Sequence, residues 1–512
     1  MMNKNIENTT WDVLIIGGGA TGIGAAIDSA SRGYKTLLVE QSDFGKGTSS
    51  KSTKLIHGGV RYLQQGNIGL VMESLKERAI LKKNAPHIVH DLEFIVPNYD
   101  WWEGPFYGIG LKLYDLLARK ESFGDSIFLS KEETVAYLPT IEQKKLQGGI
   151  LYHDGQFDDT RLLISMMRTA ENQGSTLLNY TKFNGFLKKE NKIIGGVIED
   201  IETGTTTEIK AKVIINATGV YTDEIRKKDN QQSSKIMKGS QGVHIVLDKE
   251  FLPGNKAIMI PQTKDGRVLF AVPWHGKLLI GTTDTPITEH PLDPLPQEEE
   301  IEFLLNHAAI YLTKNPTKKD IKSIFTGIRP LASSGKPNNT SEISREHRIE
   351  ISDSGLVSIM GGKWTTYRKM AKDVINAAST LVSLPRVKSP TATLKLHGYD
   401  KNASLHEDLS VYGSDASAIK KIILEKTPHK NRIHPNYTIT VGQLLFSIRH
   451  EKAKTIEDLL ARRTRLLFLD AKASLEVAPT IAKLLAAELN KSAEWRDKEI
   501  KRFQATAKTY CI

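Results

Sequence analysis

The chain has 512 residues, 39% of them hydrophobic, a length and composition that exclude a single small core and favour two or three globular domains. The mean hydropathy is -0.31, and no uninterrupted apolar run is long enough to span a bilayer. The formal charge of +11 favours an anionic partner, but no recognised nucleic-acid motif accompanies it, so we expect no bound nucleic acid. The single cysteine excludes an internal disulfide and cysteine-ligated metal centres, and we expect no bound metal.

The first long apolar segment predicts a strand, a glycine turn and a helix that together bind a dinucleotide. Val13 to Ile16 are apolar and β-prone, as a strand buried on both faces should be, and a helix is predicted from Ala20 to Arg32. Between them, the G-x-G-x-x-G spacing provides a tight turn, a close approach to a pyrophosphate and close contact between helix and strand. Gly17 makes the tight turn, Gly19 allows the approach to the pyrophosphate, and Gly22 allows the contact between helix and strand.

The next strand ends at an acidic residue, which favours an adenosine ribose without a 2′-phosphate. Lys35 to Val39 form this strand, and Glu40 lies at its C-terminal tip. A carboxylate there can accept hydrogen bonds from both ribose hydroxyls and would repel a 2′-phosphate. We assign cofactor contacts around this unit to Gly17, Gly19, Ala20, Thr21, Gly22, Glu40 and Gln41.

A loop rich in glycine and hydroxyl residues follows, and it predicts further contacts with the cofactor. Its hydroxyl groups can donate hydrogen bonds to a pyrophosphate or a ribityl chain, and its paired glycines permit close approach to a flat ring. Arg61 and Tyr62 come directly after the loop and are placed to face a ligand anion. The predicted cofactor contacts here are Thr48, Ser49, Ser50, Lys54, Leu55, His57, Gly58 and Gly59.

The segment from about residue 91 to residue 149 is rich in aromatic side chains and has two interpretations. Trp101, Trp102, Phe106 and Tyr107 can anchor a surface to a membrane or a partner protein. The alternative is a helix packed inside a substrate domain.

The nucleotide-binding fold is predicted to resume near Gly155, and a second, antiparallel sheet to follow it. The strand AKVIINATG ends in a glycine turn, where Ala217 and Gly219 can pass close to the adenosine half of the cofactor. From about residue 235 to residue 286, short apolar strands alternate with turns, which is typical of an antiparallel sheet. His244 and Arg267 lie on or beside these strands.

A strand, a glycine pair and a helix complete the first domain and favour a flavin over nicotinamide. The helix is predicted to begin near Thr365, and its N-terminus presents free N–H groups and the positive end of a dipole. Those groups suit the pyrimidine edge of a flavin, which becomes negative on reduction. The predicted contacts are Gly362, Lys363, Trp364, Thr365 and Thr366.

The last part of the chain, after a linker near Ser389, is predicted to be helical. Helices are expected over 416–425, 441–451, 455–460, 471–490 and 493–503. Residues 401–512 carry 20 Lys and Arg against 13 Asp and Glu. This excess is explained either by a solvated surface rich in lysine or by attraction to an anionic membrane surface.

Ten motifs along the chain resemble a known family. They are GGGATG, TSSKSTKLIHGGVRYL, INATG, GVHIVL, GRVLFAVPW, IGTTDTP, TGIRPL, ISREHRI, GGKWTTYRKMA and RTRLLFLDA. Their sequences and order resemble the FAD-dependent glycerol-3-phosphate dehydrogenases in their aerobic, membrane-associated form, over nearly the whole chain.

The resemblance implies an α/β fold with three domains. The first is a Rossmann-like FAD-binding domain of the D-amino-acid-oxidase type, over residues 1–90, 150–228 and 323–385. The second is an antiparallel-sheet substrate domain, over residues 91–149 and 229–322. The third is an all-helical C-terminal domain, over residues 386–512. The implied cofactor is non-covalent FAD, and the implied substrate is glycerol 3-phosphate.

The resemblance also implies which side chains bind the substrate. Arg61, Tyr62, Arg345 and Lys363 would surround its phosphate and the flavin edge, and Arg267 and Arg329 would line the same pocket. Oxidation removes a hydride from C2 and a proton from its hydroxyl, so a base is needed. The catalytic candidates are His57, His244 and a water held by Arg329.

The electron acceptor is expected to be a membrane quinone, because the sequence contains one dinucleotide fingerprint and therefore argues against a nicotinamide partner. The alternatives are an oxidase of the same family that forms hydrogen peroxide and a non-catalytic flavin-binding protein. We expect a peripheral, monotopic protein at the cytoplasmic face of the inner membrane, with a homodimer left open as its assembly state.

Overall fold

The computed structural model describes residues 4–60, 63, 66–118, 121–261, 263, 267–332, 346–403 and 408–512. Three predicted substrate residues, Arg61, Tyr62 and Arg345, lie outside the described residues. The strands are β1 (Thr10–Ile16), β2 (Thr36–Val39), β3 (Leu55–Ile56), β4 (Val89–Asn98), β5 (Ile127–Ser130), β6 (Gly148–Phe157), β7 (Thr176–Leu178), β8 (Thr181–Lys189), β9 (Lys192–Asp200), β10 (Thr206–Asn216), β11 (Met237–Asp248), β12 (Ala257–Ile260), β13 (Leu269–Trp274), β14 (Lys277–Gly281), β15 (Thr285–Ile287), β16 (Ser323–Ala332), β17 (His347–Ile351) and β18 (Leu356–Gly361).

The first sheet has the parallel centre that the predicted βαβ unit requires. Its order is β17-β18-β10-β1-β2-β7, with β9 added beside β10 and β8 beside β9. β1 pairs in parallel with both β2 and β10, and its last four residues are buried because other elements cover both faces. The helices that cover one face are Ala20–Ser31, Asp159–Asn172 and Tyr367–Leu381.

The second sheet is antiparallel apart from the pairing of β12 with β4. Its order is β15-β11-β14-β13-β12-β4-β6-β3, with β16 beside β11 and β5 beside β6. The helix Glu298–Tyr311 lies against its apolar face. The predicted antiparallel sheet is therefore confirmed, and it extends well beyond residues 235–286.

Three strands differ from the predicted domain boundaries. β3 pairs with β6 in the second sheet, whereas the boundaries placed residues 1–90 in the first domain. β6 and β16 pair within the second sheet, whereas the boundaries placed residues 150–157 and 323–332 in the first domain. β6 and β16 are almost continuously buried. The local sequence of such a segment can predict a strand, but it carries no signal for which of two sheets the strand joins.

The C-terminal part is helical, as expected, and it packs on the second sheet through Val246, Trp274 and Phe325. The helix predicted over 455–460 is instead a π-helix, Asp458–Arg463. Helical residues begin at Ile456, directly before the π-helix, and the carboxylate of Asp458 accepts hydrogen bonds from the backbone N–H groups of Lys454 and Thr455. The other helices of this part are Ala416–Glu425, Val441–His450, Leu466–Leu469, Ala471–Glu488 and Ala493–Lys508.

The aromatic segment combines both of its predicted interpretations. The helix Glu103–Ala118 buries Tyr107, Leu111 and Tyr114 on one face, so Tyr107 is not a surface anchor. Its opposite face leaves apolar side chains exposed, together with the tryptophans that precede the helix. These residues, called here the apolar helix face, are Trp101, Trp102, Phe106, Ile109, Leu113 and Leu116.

The remaining α-helices are three short ones and a longer one, Ile68–Asn84, which lies in the chain between β3 and β4 of the second sheet. The short ones are Lys4–Glu7, Lys131–Tyr137 and Thr222–Asp229. Among the described residues, no helix combines the length and the apolar character needed to cross a membrane.

Candidate active site

A cavity of ≈ 780 Å³ lies where the two sheets meet. This volume is within the range of about 300–1,000 Å³ that is typical of ligand and cofactor pockets. Most of the predicted cofactor residues line it: Gly17, Gly19, Ala20, Thr21, Glu40, Gln41, Thr48, Ser49, Leu55, His57, Gly59, Ala217, Gly219, Gly362, Lys363, Trp364 and Thr365. The cavity wall therefore runs from the predicted adenosine end to the glycine pair after β18.

The glycine turn has the close contacts that its spacing predicts. Gly17 has a φ of 107°, and a Cβ on Gly22 would lie 1.9 Å from the carbonyl oxygen of Gly17, so only glycine permits this contact between helix and strand. Gly19 precedes the helix Ala20–Ser31, whose N-terminus faces the cavity. Free backbone N–H groups and the helix dipole make this a suitable place for a pyrophosphate.

Two hydroxyl residues of the following loop also make contacts within the protein. Ser49 Oγ accepts a hydrogen bond from the backbone N–H of Ala20 at 3.0 Å, so its own proton remains available to the cavity. Thr48 Oγ1 donates to the carbonyl of Ile328 at 2.6 Å, so Thr48 offers the cavity an acceptor and not the donor that the sequence predicted.

Glu40 is held by the backbone on both of its carboxylate oxygens. Oε2 accepts from Gly18 N at 2.7 Å and Oε1 accepts from Ser42 N at 2.8 Å. Burial raises the pKa of Glu40, and these two N–H groups oppose that shift. Each oxygen retains capacity for a further donor, such as a ribose hydroxyl.

On the second sheet, β11 and β16 place a cation and a histidine on one face. Their register sets Gly242 opposite Gly327 and His244 opposite Phe325. Arg329 is two residues beyond Gly327, and alternate residues of a strand share a face. A Cβ on Gly242 would lie 2.7 Å from Arg329 Nη2, so the glycine leaves room for the guanidinium at the cavity wall.

The turn after β14 fixes the Arg329 side chain. Its Nη2 donates to Thr282 Oγ1 at 3.0 Å and to the carbonyl of Thr283 at 2.9 Å, and its Nη1 pairs with Asp284 Oδ1 at 3.2 Å. Thr283 is fixed in turn by the buried carboxylate of Glu300 at 2.8 Å. The guanidinium is thus oriented before any ligand binds.

His244 is buried, yet its ring lines the cavity. Its Nε2 lies 2.9 Å from Thr53 Oγ1, and its ring stacks on Phe325 with centroids 4.8 Å apart. Burial lowers the pKa of His244 well below its usual value, and the positive charges of Lys54 and Arg329 lower it further. The imidazole is therefore neutral at physiological pH, which is the form that accepts a proton.

Arg267 lines the same cavity, together with His57 and Lys363, which were also predicted to act on the substrate. The guanidinium carbon of Arg267 lies 5.3 Å from the centre of the Phe303 ring. Five predicted cofactor residues do not line the cavity: Gly22, Ser50, Lys54, Gly58 and Thr366. Lys54 is fully buried and pairs with Asp159 at 2.6 Å, because the loop folds its side chain into the protein interior.

Sequence reasoning missed the groups that orient these side chains. Thr282, Thr283 and Asp284 belong to the motif IGTTDTP, which the sequence offered only as part of a resemblance. Thr53 carried no signal of its own. The short threonine-rich turn directly after an apolar strand was the one feature that could have indicated side chains that orient a neighbouring arginine.

Two family models match the chain. The model described as "FAD dependent oxidoreductase" matches residues 12–368, and the model described as "C-terminal domain of alpha-glycerophosphate oxidase" matches residues 356–496. Together they cover both sheets and most of the helical part, which confirms the predicted fold class and the predicted FAD cofactor.

The chain is also similar to individual proteins over nearly its whole length. It is 39% identical to a mitochondrial glycerol-3-phosphate dehydrogenase of Macaca fascicularis, over 99% of this chain and 74% of that protein. It is 34% identical to the corresponding protein of Saccharomyces cerevisiae, over 100% of this chain and 91% of that protein. A crystal structure of the glycerol-3-phosphate dehydrogenase from Bacillus halodurans, complexed with FAD, superimposes with a TM-score of 0.81 at 30% identity and covers 99% of this chain and 96% of that chain.

Proposed function

Because the chain belongs to the family of FAD-dependent glycerol-3-phosphate dehydrogenases, we propose that it oxidises sn-glycerol 3-phosphate to dihydroxyacetone phosphate. One observation carries this proposal: Arg267, Arg329 and Lys363 share one cavity with a neutral histidine and with the dinucleotide turn. Cations suit a phosphate dianion, and a neutral imidazole suits an alcohol proton.

The donor set of the cavity fits FAD. The helix N-terminus at Ala20 and the hydroxyl of Ser49 would hold the pyrophosphate, Glu40 would hold the adenosine ribose, and the turn at Lys363 would hold the flavin edge. Bound FAD supplies the hydride acceptor at N5, which is chemistry that no side chain provides.

The side chains then have two tasks. Arg329 binds the substrate phosphate with its fixed guanidinium, and Arg267 and Lys363 add positive charge from other parts of the cavity wall. His244 takes the proton of the C2 hydroxyl, and Thr53 holds its ring in place. Of the three candidates for the base, His244 is supported by its position on the cavity wall and by its hydrogen bond to Thr53, which orients the ring.

The reductive half-reaction tests the substrate directly. When purified protein is mixed anaerobically with glycerol 3-phosphate, the absorbance of the oxidised flavin at about 450 nm should disappear. Glycerol at the same concentration should have little effect on this absorbance. An unchanged flavin spectrum with glycerol 3-phosphate would reject the proposed activity and favour a non-catalytic flavin-binding protein.

The cofactor should be released when the protein unfolds. We predict that acid or heat denaturation frees all of the yellow chromophore, and that the released compound is FAD and not FMN, because Glu40 and the glycine turn suit an adenosine diphosphate. Chromatography of the supernatant measures this. A washed precipitate that keeps its yellow colour would contradict non-covalent binding.

The apolar helix face supports a membrane quinone as the electron acceptor. Phe106, Ile109 and Leu113 line the cavity and also belong to that exposed face, so an apolar path leads from the surface to the cavity. Quinones dissolve in the bilayer, and an apolar face is suited to insertion among lipids. The alternative acceptor is oxygen; anaerobic assay with a soluble quinone analogue and aerobic assay of peroxide distinguish the two.

We place the protein at the cytoplasmic face of the inner membrane, attached through this face and assisted by its positive charge. The double variant Ile109→Glu, Leu116→Glu should lower binding to vesicles of anionic phospholipid by about 100-fold or more, because burial of each side chain contributes about 1.5–3 kcal/mol. Vesicle flotation measures the change.

The matched control is Leu424→Glu, since Leu424 is 83% exposed on a helix of the C-terminal part. It should bind vesicles as the unaltered protein does. If the double variant also kept its binding, the apolar helix face would not be the attachment site. The homodimer stays a prediction, which mass photometry of the detergent-solubilised protein would check.

A further inference from the structure

The loop that follows Glu40 forms a large part of the cavity wall, but it is anchored from elsewhere. Gln41, Lys46, Thr48 and Ser49 line the cavity. Residues 457–465 of the C-terminal helical part, called here the clasp segment, contact this loop from behind. Among the described residues, no side chain of the helical part lines the cavity itself.

The first contact joins two arginines of the clasp segment to one buried carboxylate of the loop. Arg463 binds Asp43 through its two terminal guanidinium nitrogens, Nη1 to Oδ2 at 2.7 Å and Nη2 to Oδ1 at 2.9 Å. Arg462 Nε donates to Asp43 Oδ2 at 2.5 Å. Burial alone would raise the pKa of Asp43, but Arg463 and Arg462 together hold it below its usual range, so the carboxylate is charged.

Two further contacts hold the loop on either side of Gly47. Lys46 Nζ, on the cavity wall, pairs with Glu457 at 2.6 Å, and Glu457 also accepts from Arg462 Nη1 at 2.6 Å. Arg465 Nη2 donates to the carbonyl of Ser50 at 3.1 Å. The clasp segment therefore fixes the loop at three places; its arginines are buried, and the Glu457 side chain is 16% exposed.

Such a set of buried charges is poorly explained by stability alone. Buried ion pairs often contribute little net stability, because desolvation offsets the attraction between the charges. They do select one conformation, since any other arrangement would leave a charge buried without its partner. The conformation that these pairs select is the one in which the loop lines the predicted FAD site.

We propose that the clasp segment holds the loop over residues 41–50 in its FAD-binding conformation, so that the helical part sets how tightly FAD is retained. The inference rests on the proposed FAD site but not on the identity of the substrate. If the competent loop conformation becomes only a fraction of the population, the apparent dissociation constant rises by the inverse of that fraction. Arg462 and Arg463 are positioning residues, which act through the loop.

The test compares Arg463→Gln with Arg449→Gln. Arg449 lies in the same helical part but pairs at the surface with Glu425 and Glu488, so it is the matched control. FAD is titrated into each apoprotein, and unfolding is followed by circular dichroism with and without FAD. We expect Arg463→Gln to raise the FAD dissociation constant by at least about 10-fold and to shrink the difference in Tm between the holo and apo forms.

A purely structural arginine would give another pattern. If Arg463→Gln lowered both Tm values equally and left the dissociation constant unchanged, the proposal would be overturned. The second variant, Glu457→Gln, keeps both arginines and weakens the contact with Lys46, so it serves if Arg463→Gln does not fold. An unchanged dissociation constant in a folded Glu457→Gln protein would equally count against the proposal.

The same variants separate this inference from the proposed activity. Once saturated with FAD, Arg463→Gln should be reduced by glycerol 3-phosphate at a rate close to that of the unaltered protein. A slow rate at full saturation with a normal dissociation constant would assign the arginine to catalysis and overturn its role in retention. Failure of the unaltered protein to be reduced would instead reject the proposed substrate, while the difference in FAD affinity would stand.

Discussion

The variant Arg329→Ala is expected to lower kcat/KM for glycerol 3-phosphate by about 10- to 150-fold, because a charge-assisted hydrogen bond to phosphate contributes about 1.5–3 kcal/mol. The guanidinium is fixed by Thr282, Thr283 and Asp284 before the substrate binds, so its loss should raise KM more than it lowers kcat. Steady-state kinetics with a soluble quinone analogue measure both constants.

The control is Arg348→Ala, which removes a half-exposed arginine that pairs with Glu350 on β17. It should leave kcat/KM unchanged. The flavin absorbance of Arg329→Ala should also match that of the unaltered protein, since Arg329 is proposed to bind substrate. Loss of the flavin, or an equal loss of activity on plain glycerol, would show that Arg329 serves the cofactor or the fold.

The parts of the fold that depend on local sequence could be predicted. The glycine spacing at residues 17–22 requires a close contact between backbone atoms, and the structure has that contact at Gly22. The helix over 416–425 was predicted with the bounds that the structure shows. In both cases neighbouring residues determine the geometry, either by steric exclusion or by the periodicity of apolar side chains.

What could not be predicted depends on contacts between residues far apart in the chain. β16 was assigned to the first domain, because its apolar pattern does not identify β11 as its partner. Among the described residues, the helical part does not line the cavity. Its buried arginines bind Asp43, which precedes Arg463 by 420 residues in the chain. Single-sequence patterns carry no signal for such pairs.

The variant His244→Gln is expected to lower the rate of flavin reduction by glycerol 3-phosphate by about 10²- to 10⁴-fold, which is the usual contribution of a general base. Glutamine can keep a hydrogen bond to Thr53 but cannot accept the proton of the C2 hydroxyl. Anaerobic stopped-flow measurements at saturating substrate give the rate. His90→Gln is the control, since His90 pairs with Gln156 and does not line the cavity.

If His57→Gln lowered the rate of flavin reduction more than His244→Gln does, His57 would be identified as the base instead. The pH dependence gives an independent check, because burial, Lys54 and Arg329 keep the pKa of His244 well below its usual value. A base with a lowered pKa stays neutral as the pH falls, so the rate should be nearly constant from about pH 8 to about pH 6. Arg329→Ala removes one of the positive charges that lower this pKa, and its rate should therefore begin to fall at a higher pH, whereas the profile of Arg348→Ala should be unchanged.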